Sequence, residues 1–161
     1  MKKTNLHQLE LNHREQGNFG FTRGSLTQGT AAQQLGCSYY ELAPGKKSFP
    51  FHFHHAAEEA ILVLEGEGTL RLGEERLTLV QGDYVPLPAG KAFAHQLANQ
   101  SDQVFKYLAF STFTPNEIVE YPDSNKVGVF AGMVPGLPPS AGSLWQVHKK
   151  DGACGYYDGE E

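Results

Sequence analysis

The stretch Phe51-His52-Phe53-His54-His55-Ala56-Ala57-Glu58-Glu59-Ala60-Ile61-Leu62-Val63-Leu64-Glu65-Gly66 decides how this chain is read. On an extended strand, alternate side chains point the same way, so His52 and His54 bring both imidazoles to one point while Phe51 and Phe53 face the other side. Glu59 heads the strand-like run Ala60 to Leu64 and adds a carboxylate oxygen. A lone histidine much further along, His95, completes a donor set of three nitrogens and one oxygen, the pattern of a metal site. His55 and Glu58 sit beside these residues on the wrong parity, with Glu58 the alternative ligand if the strand enters one residue early. His7, His13 and His148 read as surface histidines. The two phenylalanine rings need cover from a second layer, the N-terminal arm or another chain.

Beyond this stretch the chain is punctuated for many short strands. Cys37 to Leu42 is β-prone and runs into a Pro44-Gly45 turn; Phe49 to His54 alternates; Gly66 and Gly68 mark a turn before Thr69 to Leu72. A turn at Gly73-Glu74-Glu75 returns the chain through Leu77 to Val80, and Gln81-Gly82-Asp83 makes the next. Tyr84 to Pro88 is bounded by prolines and reads as a strand that sits at an edge or stops early. Phe93 to Leu97 and Val104 to Ser111 supply two more. Residues 1–34 read as a polar arm with one or two strands, and residues 112–161 as a loop-rich extension carrying Thr114-Pro115, Tyr121-Pro122-Asp123 and Val134-Pro135-Gly136-Leu137-Pro138-Pro139. The aromatic and charged end, His148 to Asp158, suggests packing against the barrel or a neighbour.

Composition agrees and narrows the functional classes. Eighteen glycines and nine prolines favour tight turns over long helices, and 161 residues suit one domain that can bury a core without disulfides. Net charge is −5 and the thirteen Lys and Arg are scattered, which speaks against a nucleic-acid partner. The apolar run Ala60 to Leu64 is far below the roughly 20 residues that span a bilayer, so no membrane segment is expected. The basic start, Met1-Lys2-Lys3, is followed by no apolar stretch, so cytoplasmic localisation is the expectation. Cys37 and Cys154 read as free thiols.

The segment Pro44-Gly45, His52-x-His54, Glu58-Glu59 and Val63-Leu64-Glu65-Gly66-Glu67-Gly68 resembles the first motif of the cupin superfamily. Gly82-Asp83, Pro88-Ala89-Gly90, His95 and Asn99 resemble the second. The resemblance covers about residues 35 to 111, and the Pro88 to Asp102 stretch is similar to small single-domain bacterial cupins of unassigned function. It implies an all-β fold, a double-stranded β-helix or jelly-roll barrel, with barrel core about 35–111, an N-terminal arm and a C-terminal extension within a single domain 1–161. It also implies that His52, His54, Glu59 and His95 are metal ligands, and that the protein is a homodimer, for which Phe51 and Phe53 on one outer face are the agreeing feature. Two spacings depart from the commonest pattern: Gly45 lies one residue further from His52, and four residues rather than two separate Gly90 from His95.

Imidazoles with one carboxylate suit zinc, iron, nickel or manganese, so the ligands do not choose among these divalent ions. Positions left open on the ion permit Lewis-acid polarisation of a carbonyl or hydroxyl, or activation of dioxygen at iron. The expected function is therefore a metal-dependent enzyme acting on a small molecule by oxygenation or isomerisation. The alternative is a non-enzymatic binding or sensing module whose metal anchors a ligand or braces the barrel. No residue stands out as a general acid or base; Tyr39, Tyr40, Gln96 and Tyr107 are candidate pocket walls.

Overall fold

The computed structural model describes residues 2–133 and 140–160. The loop signals from Val134 to Pro139 lie outside the described residues. The strands are β1 (Asn12–Gln16), β2 (Phe19–Ser25), β3 (Leu35–Leu42), β4 (Phe53–His54), β5 (Glu59–Glu65), β6 (Glu67–Leu72), β7 (Glu75–Val80), β8 (Tyr84–Leu87), β9 (His95–Ala98), β10 (Phe105–Thr112), β11 (Glu117–Tyr121), β12 (Lys126–Ala131) and β13 (Leu144–Lys149), and the helical elements are single 3-10 turns. The fold is all-β. No helix of the described residues is long and apolar enough to cross a membrane.

A six-stranded sheet runs β1-β2-β3-β10-β5-β8, a three-stranded sheet β7-β6-β9, and a four-stranded sheet β13-β12-β11-β4. Pairing between these strands is antiparallel throughout. The period-two pattern decides which side chains enter the barrel. In β5, Ile61 and Val63 are buried, and they meet Leu42, Leu70, Leu79, Leu87, Leu97, Phe105 and Tyr107 in one cluster. Burying each such side chain contributes about 1.5–3 kcal/mol, enough to fix the register because a one-residue slip would expose the set. Gly68 is dictated by this core: a Cβ there would lie 2.5 Å from the Phe105 ring. As its prolines suggest, β8 sits at the edge of its sheet, with Pro86 opposite Ala60.

The arm forms two strands, β1 and β2, which widen the six-stranded sheet beyond β3. The extension departs from the loop-rich expectation. Its turn signals fall between strands, and β11, β12 and β13 build most of the four-stranded sheet, joined to the barrel by β4. The expected strand Phe49 to His54 is also shorter, reduced to Phe53–His54 plus a bridge between His52 and His95.

Phe51 and Phe53 do face away from the histidines, but the outer apolar face expected of them is absent. Both are buried within the chain beside Ala94, and the Arg71 guanidinium lies 3.6 Å from the centre of the Phe51 ring. Arg71 is itself held by two hydrogen bonds to Asp123 of the extension, at 2.7 and 3.1 Å. The cover comes from the polypeptide's own second layer.

Candidate metal centre

The site begins with backbone pairing between the two motifs. His52 and His95 exchange hydrogen bonds, His52 N to His95 O at 3.1 Å and His95 N to His52 O at 2.8 Å, which sets their rings 4.5 Å apart. Further along, Gly45 N donates to Asn99 O and Asn99 N to Lys46 O, while the buried Asn99 side chain donates to the carbonyls of Leu42 and Gln103. Asn99 is thus a strap between the motifs. The longer loop before His95 is taken up by a 3-10 turn, Lys91–Phe93, and does not displace the histidine.

Ligand atoms of His52, His54 and Glu59 all lie within 4.8 Å of one another. His95 is not within that radius of all three, yet its Nε2 is 3.2 Å from Glu59 Oε2, and His54 Nε2 is 3.4 Å from the same oxygen. All four sequence-derived candidates therefore converge. Glu58 is exposed and outside the cluster, His55 pairs with Glu120 at 2.8 Å, and His7, His13 and His148 are exposed.

Proton positions follow from the partners. His52 Nδ1 contacts the Pro50 carbonyl at 2.8 Å and His95 Nδ1 the Phe93 carbonyl at 3.0 Å. A carbonyl only accepts, so each Nδ1 carries a hydrogen, which leaves Nε2 as the atom through which each ring can offer a lone pair to the cluster. This is the outer-shell arrangement that orients histidine ligands. His54 is half-buried, but both of its ring nitrogens are buried and neither is hydrogen-bonded. Lone pairs facing a carboxylate repel, and an orphaned buried imidazole carries a desolvation cost; one cation among the four would satisfy both, so these residues fit a divalent metal.

Electrostatics point the same way. Burial drives the His52 pKa down to about 4, with the neighbouring His95 adding to the effect, so its ring is neutral and available. For Glu59, burial alone would raise the pKa, but the His54 and His95 imidazoles beside it outweigh burial, lower the pKa and hold the carboxylate ionised. Burial lowers His54, yet Glu59 and Glu117 reverse the balance and raise it.

Glu117 went unrecognised in the sequence. Its carboxylate accepts hydrogen bonds from the backbone N–H of His55, Ala56 and Ala57, at 3.1, 3.1 and 2.6 Å, and stands 3.8 Å from His54 Nδ1. Tyr121, also on β11, lies over His52 with ring centres 6.2 Å apart. Glu117 carries no local signal because its partners are far away in sequence; only the β4–β11 pairing delivers it.

Above the cluster is a cavity of about 220 Å³ lined by His52, His54, Glu59 and His95 with mainly apolar walls. Tyr40, Gln96 and Tyr107 line it as expected; Tyr39 does not, its hydroxyl donating to Glu41 instead. Burial raises the pKa of both Tyr40 and Tyr107, so their phenols stay protonated. Cys37 and Cys154 are free thiols and are not members of this cluster.

Comparison with known proteins places this geometry. The cupin domain family model matches residues 38–111. Quercetin 2,3-dioxygenase of Bacillus subtilis is 37% identical over 67 residues, which are 41% of this chain and 20% of that protein, so the match spans only a fifth of the relative. Among solved structures, a putative sugar phosphate isomerase from Acidithiobacillus ferrooxidans superposes with TM-score 0.79 at 23% identity, covering 92% of this chain and 90% of that one. A sugar phosphate isomerase from the cupin superfamily of Silicibacter pomeroyi superposes with TM-score 0.78 at 24% identity, covering 98% of each chain. At such identities the likeness is one of fold, and it extends through the arm and the extension. The two motifs, the antiparallel barrel and the family-model match together show that residues 38–111 of this chain form a cupin domain.

Proposed function

We propose that this chain binds a divalent metal ion, zinc, iron, nickel or manganese, through His52, His54, Glu59 and His95, and acts as an enzyme on a small molecule by oxygenation or isomerisation. The observation that carries this reading is His54, whose two ring nitrogens are buried without a hydrogen-bond partner beside an ionised Glu59 in the lining of a cavity. When bound, the metal would supply Lewis acidity or, as iron, redox chemistry. The protein supplies the rest: Nδ1–H bonds that fix the rings, and a largely apolar wall that limits water. The arm and extension act with the barrel as a single domain in the cytoplasm. Elemental analysis of protein purified without chelator or added metal, followed by oxygen uptake and turnover assays on a panel of carbonyl and phenolic compounds, tests the reading. Absence of bound metal removes the site; metal without turnover leaves the second reading.

That second reading is a binding or sensing module in which the metal anchors a ligand. It is favoured by the cavity's polar groups: Tyr40 and Tyr107 are held as neutral phenols, and the Gln96 amide is tied to the Phe49 carbonyl at 2.7 Å, so none is free as a general base. Metal-dependent ligand binding without turnover would select it. We also propose a homodimer. With Phe51 and Phe53 covered, the surface that suits it is β13, where Leu144, Trp145 and Val147 are exposed; a monomer by sedimentation at micromolar concentration would remove it.

A further inference from the structure

The six-stranded sheet carries a feature that the metal cluster does not use. Following the register inward from the arm, Arg23 of β2 stands opposite Tyr40 of β3, Tyr40 opposite Tyr107 of β10, and Tyr107 opposite Val63 of β5. Directly opposed residues project to the same face, so Arg23 lies on the barrel-facing side of the widened sheet. Arg14 of β1 pairs with Phe21, two residues from Arg23, and joins it on that face. The rows between these arginines and Glu59 are made of small residues: Glu59 opposes Ser111, which opposes Gly36, and Ile61 opposes Ala109, which opposes Ser38. The result is a groove of about 630 Å³ with Glu59 at one end and Arg14 and Arg23 at the other. Three inter-strand steps separate β5 from β2, about 14 Å between backbones, a gap that the long arginine side chains narrow.

Both arginines at the far end are solvent-exposed, and the Arg23 guanidinium lies 5.9 Å from the centre of the Tyr40 ring. Arg23 donates from Nε and Nη2 to the neutral Ser38 hydroxyl, at 3.1 and 2.8 Å, which fixes the guanidinium without neutralising it. Among the described residues neither Arg14 nor Arg23 forms an ion pair, although the chain has 18 acidic residues and a net charge of −5. A second groove of about 1090 Å³ continues outward from the same two arginines and adds Lys2, Lys3 and His13, with Glu10 its one carboxylate. Tyr40 links the two ends, since it lines both the first groove and the pocket at the metal cluster.

We propose that Arg14 and Arg23 form an anion-binding subsite, and that the molecule entering the metal pocket carries a phosphate or carboxylate group held there. This rests on the pocket being a small-molecule site and names the class of molecule. A planar guanidinium binds either oxyanion through paired N–H donors, and Ser38 pre-orients one of the two. The small-residue rows leave room for the linking atoms.

The test uses the full chain labelled with 15N and reads the arginine Nε–H resonances during titration with inorganic phosphate, acetate, glycerol 3-phosphate and uncharged glycerol at physiological ionic strength. Saturable shifts at Arg14 and Arg23 with phosphate and glycerol 3-phosphate, none with glycerol, and at least tenfold weaker binding in a folded Arg14→Gln/Arg23→Gln variant are expected. Binding of acetate in preference to phosphate would identify a carboxylate as the group held. Unchanged affinity in that double variant, or loss only in Lys2→Gln/Lys3→Gln, would overturn the subsite. His52→Ala/His54→Ala should retain phosphate binding, so a failed metal reading leaves this result standing, and a failed subsite leaves elemental analysis untouched.

Discussion

His52 and His95 form a reciprocal backbone pair, 3.1 and 2.8 Å, that places one candidate ligand from each cupin motif side by side. Their facing Nε2 atoms follow from it, since each Nδ1–H is committed to a carbonyl two residues earlier in its own chain segment.

Metal should therefore stabilise the fold by linkage. A ligand that binds only the native state at a hundred times its dissociation constant adds about 2.7 kcal/mol. Tm is expected to rise with added divalent ion and fall on chelation, and His52→Ala/His95→Ala should show neither response. Thermal unfolding across a metal titration checks this, and an equal response from that variant would exclude these ligands.

Glu117→Gln keeps the carbonyl oxygen but loses charge beside His54, and puts an amide where several backbone N–H groups donate. Outer-shell partners of metal ligands are typically worth 10–100-fold in affinity. About a tenfold weaker metal retention is expected in competition with a graded chelator. Retention equal to the parent would make Glu117 a purely structural brace for the His55–Ala57 turn.

The metal-free protein should have a stability maximum near neutrality, for a reason that can be signed. His52 has its pKa lowered from 6.5 to about 4 by burial, so between these values the unfolded chain binds a proton that the folded one refuses. Stability attributable to it is present above pH 6.5 and lost as pH falls toward 4, on the order of 3 kcal/mol across the window. His54 acts oppositely and elsewhere: its raised pKa contributes stability below 6.5 that is lost as pH rises through the folded value. Urea unfolding from pH 4 to 8 checks both, with His52→Gln expected to flatten the acid limb. A parent acid limb that survives that substitution would show that another group causes it.

Arg71→Ala removes the cation stacked on Phe51 and the paired bonds to Asp123. A stacked guanidinium contributes about 0.5–2 kcal/mol and a largely exposed ion pair less than about 1. A loss of about 1–2 kcal/mol is expected in denaturant unfolding, with Asp123→Asn costing less. Equal losses would place the energy in the ion pair.

The ligand candidates were legible because their information is local. Strand parity aims His52 and His54 together, and Glu59 opens the next strand, so sequence spacing alone brought three donors toward one point. The short apolar and β-prone runs and the Gly-rich turns between them likewise pointed to an all-β barrel, since strand parity then decides which face is buried. Other features depend on partners distant in the chain. Phe51 and Phe53 looked like an outer face because their cover, Arg71 pinned by Asp123, belongs to strands and turns with no local link to them. Glu117 reaches His54, and Arg23 comes onto the barrel-facing side of the widened sheet, only through pairing of β11 with β4 and of β2 with β3. Sequence therefore determined which groups this protein has to offer a metal and the periodicity that makes its barrel. Tertiary structure alone decided what surrounds them, because long-range strand pairing, and not spacing along the chain, sets which side chains share a face and which charges are left without a counterion.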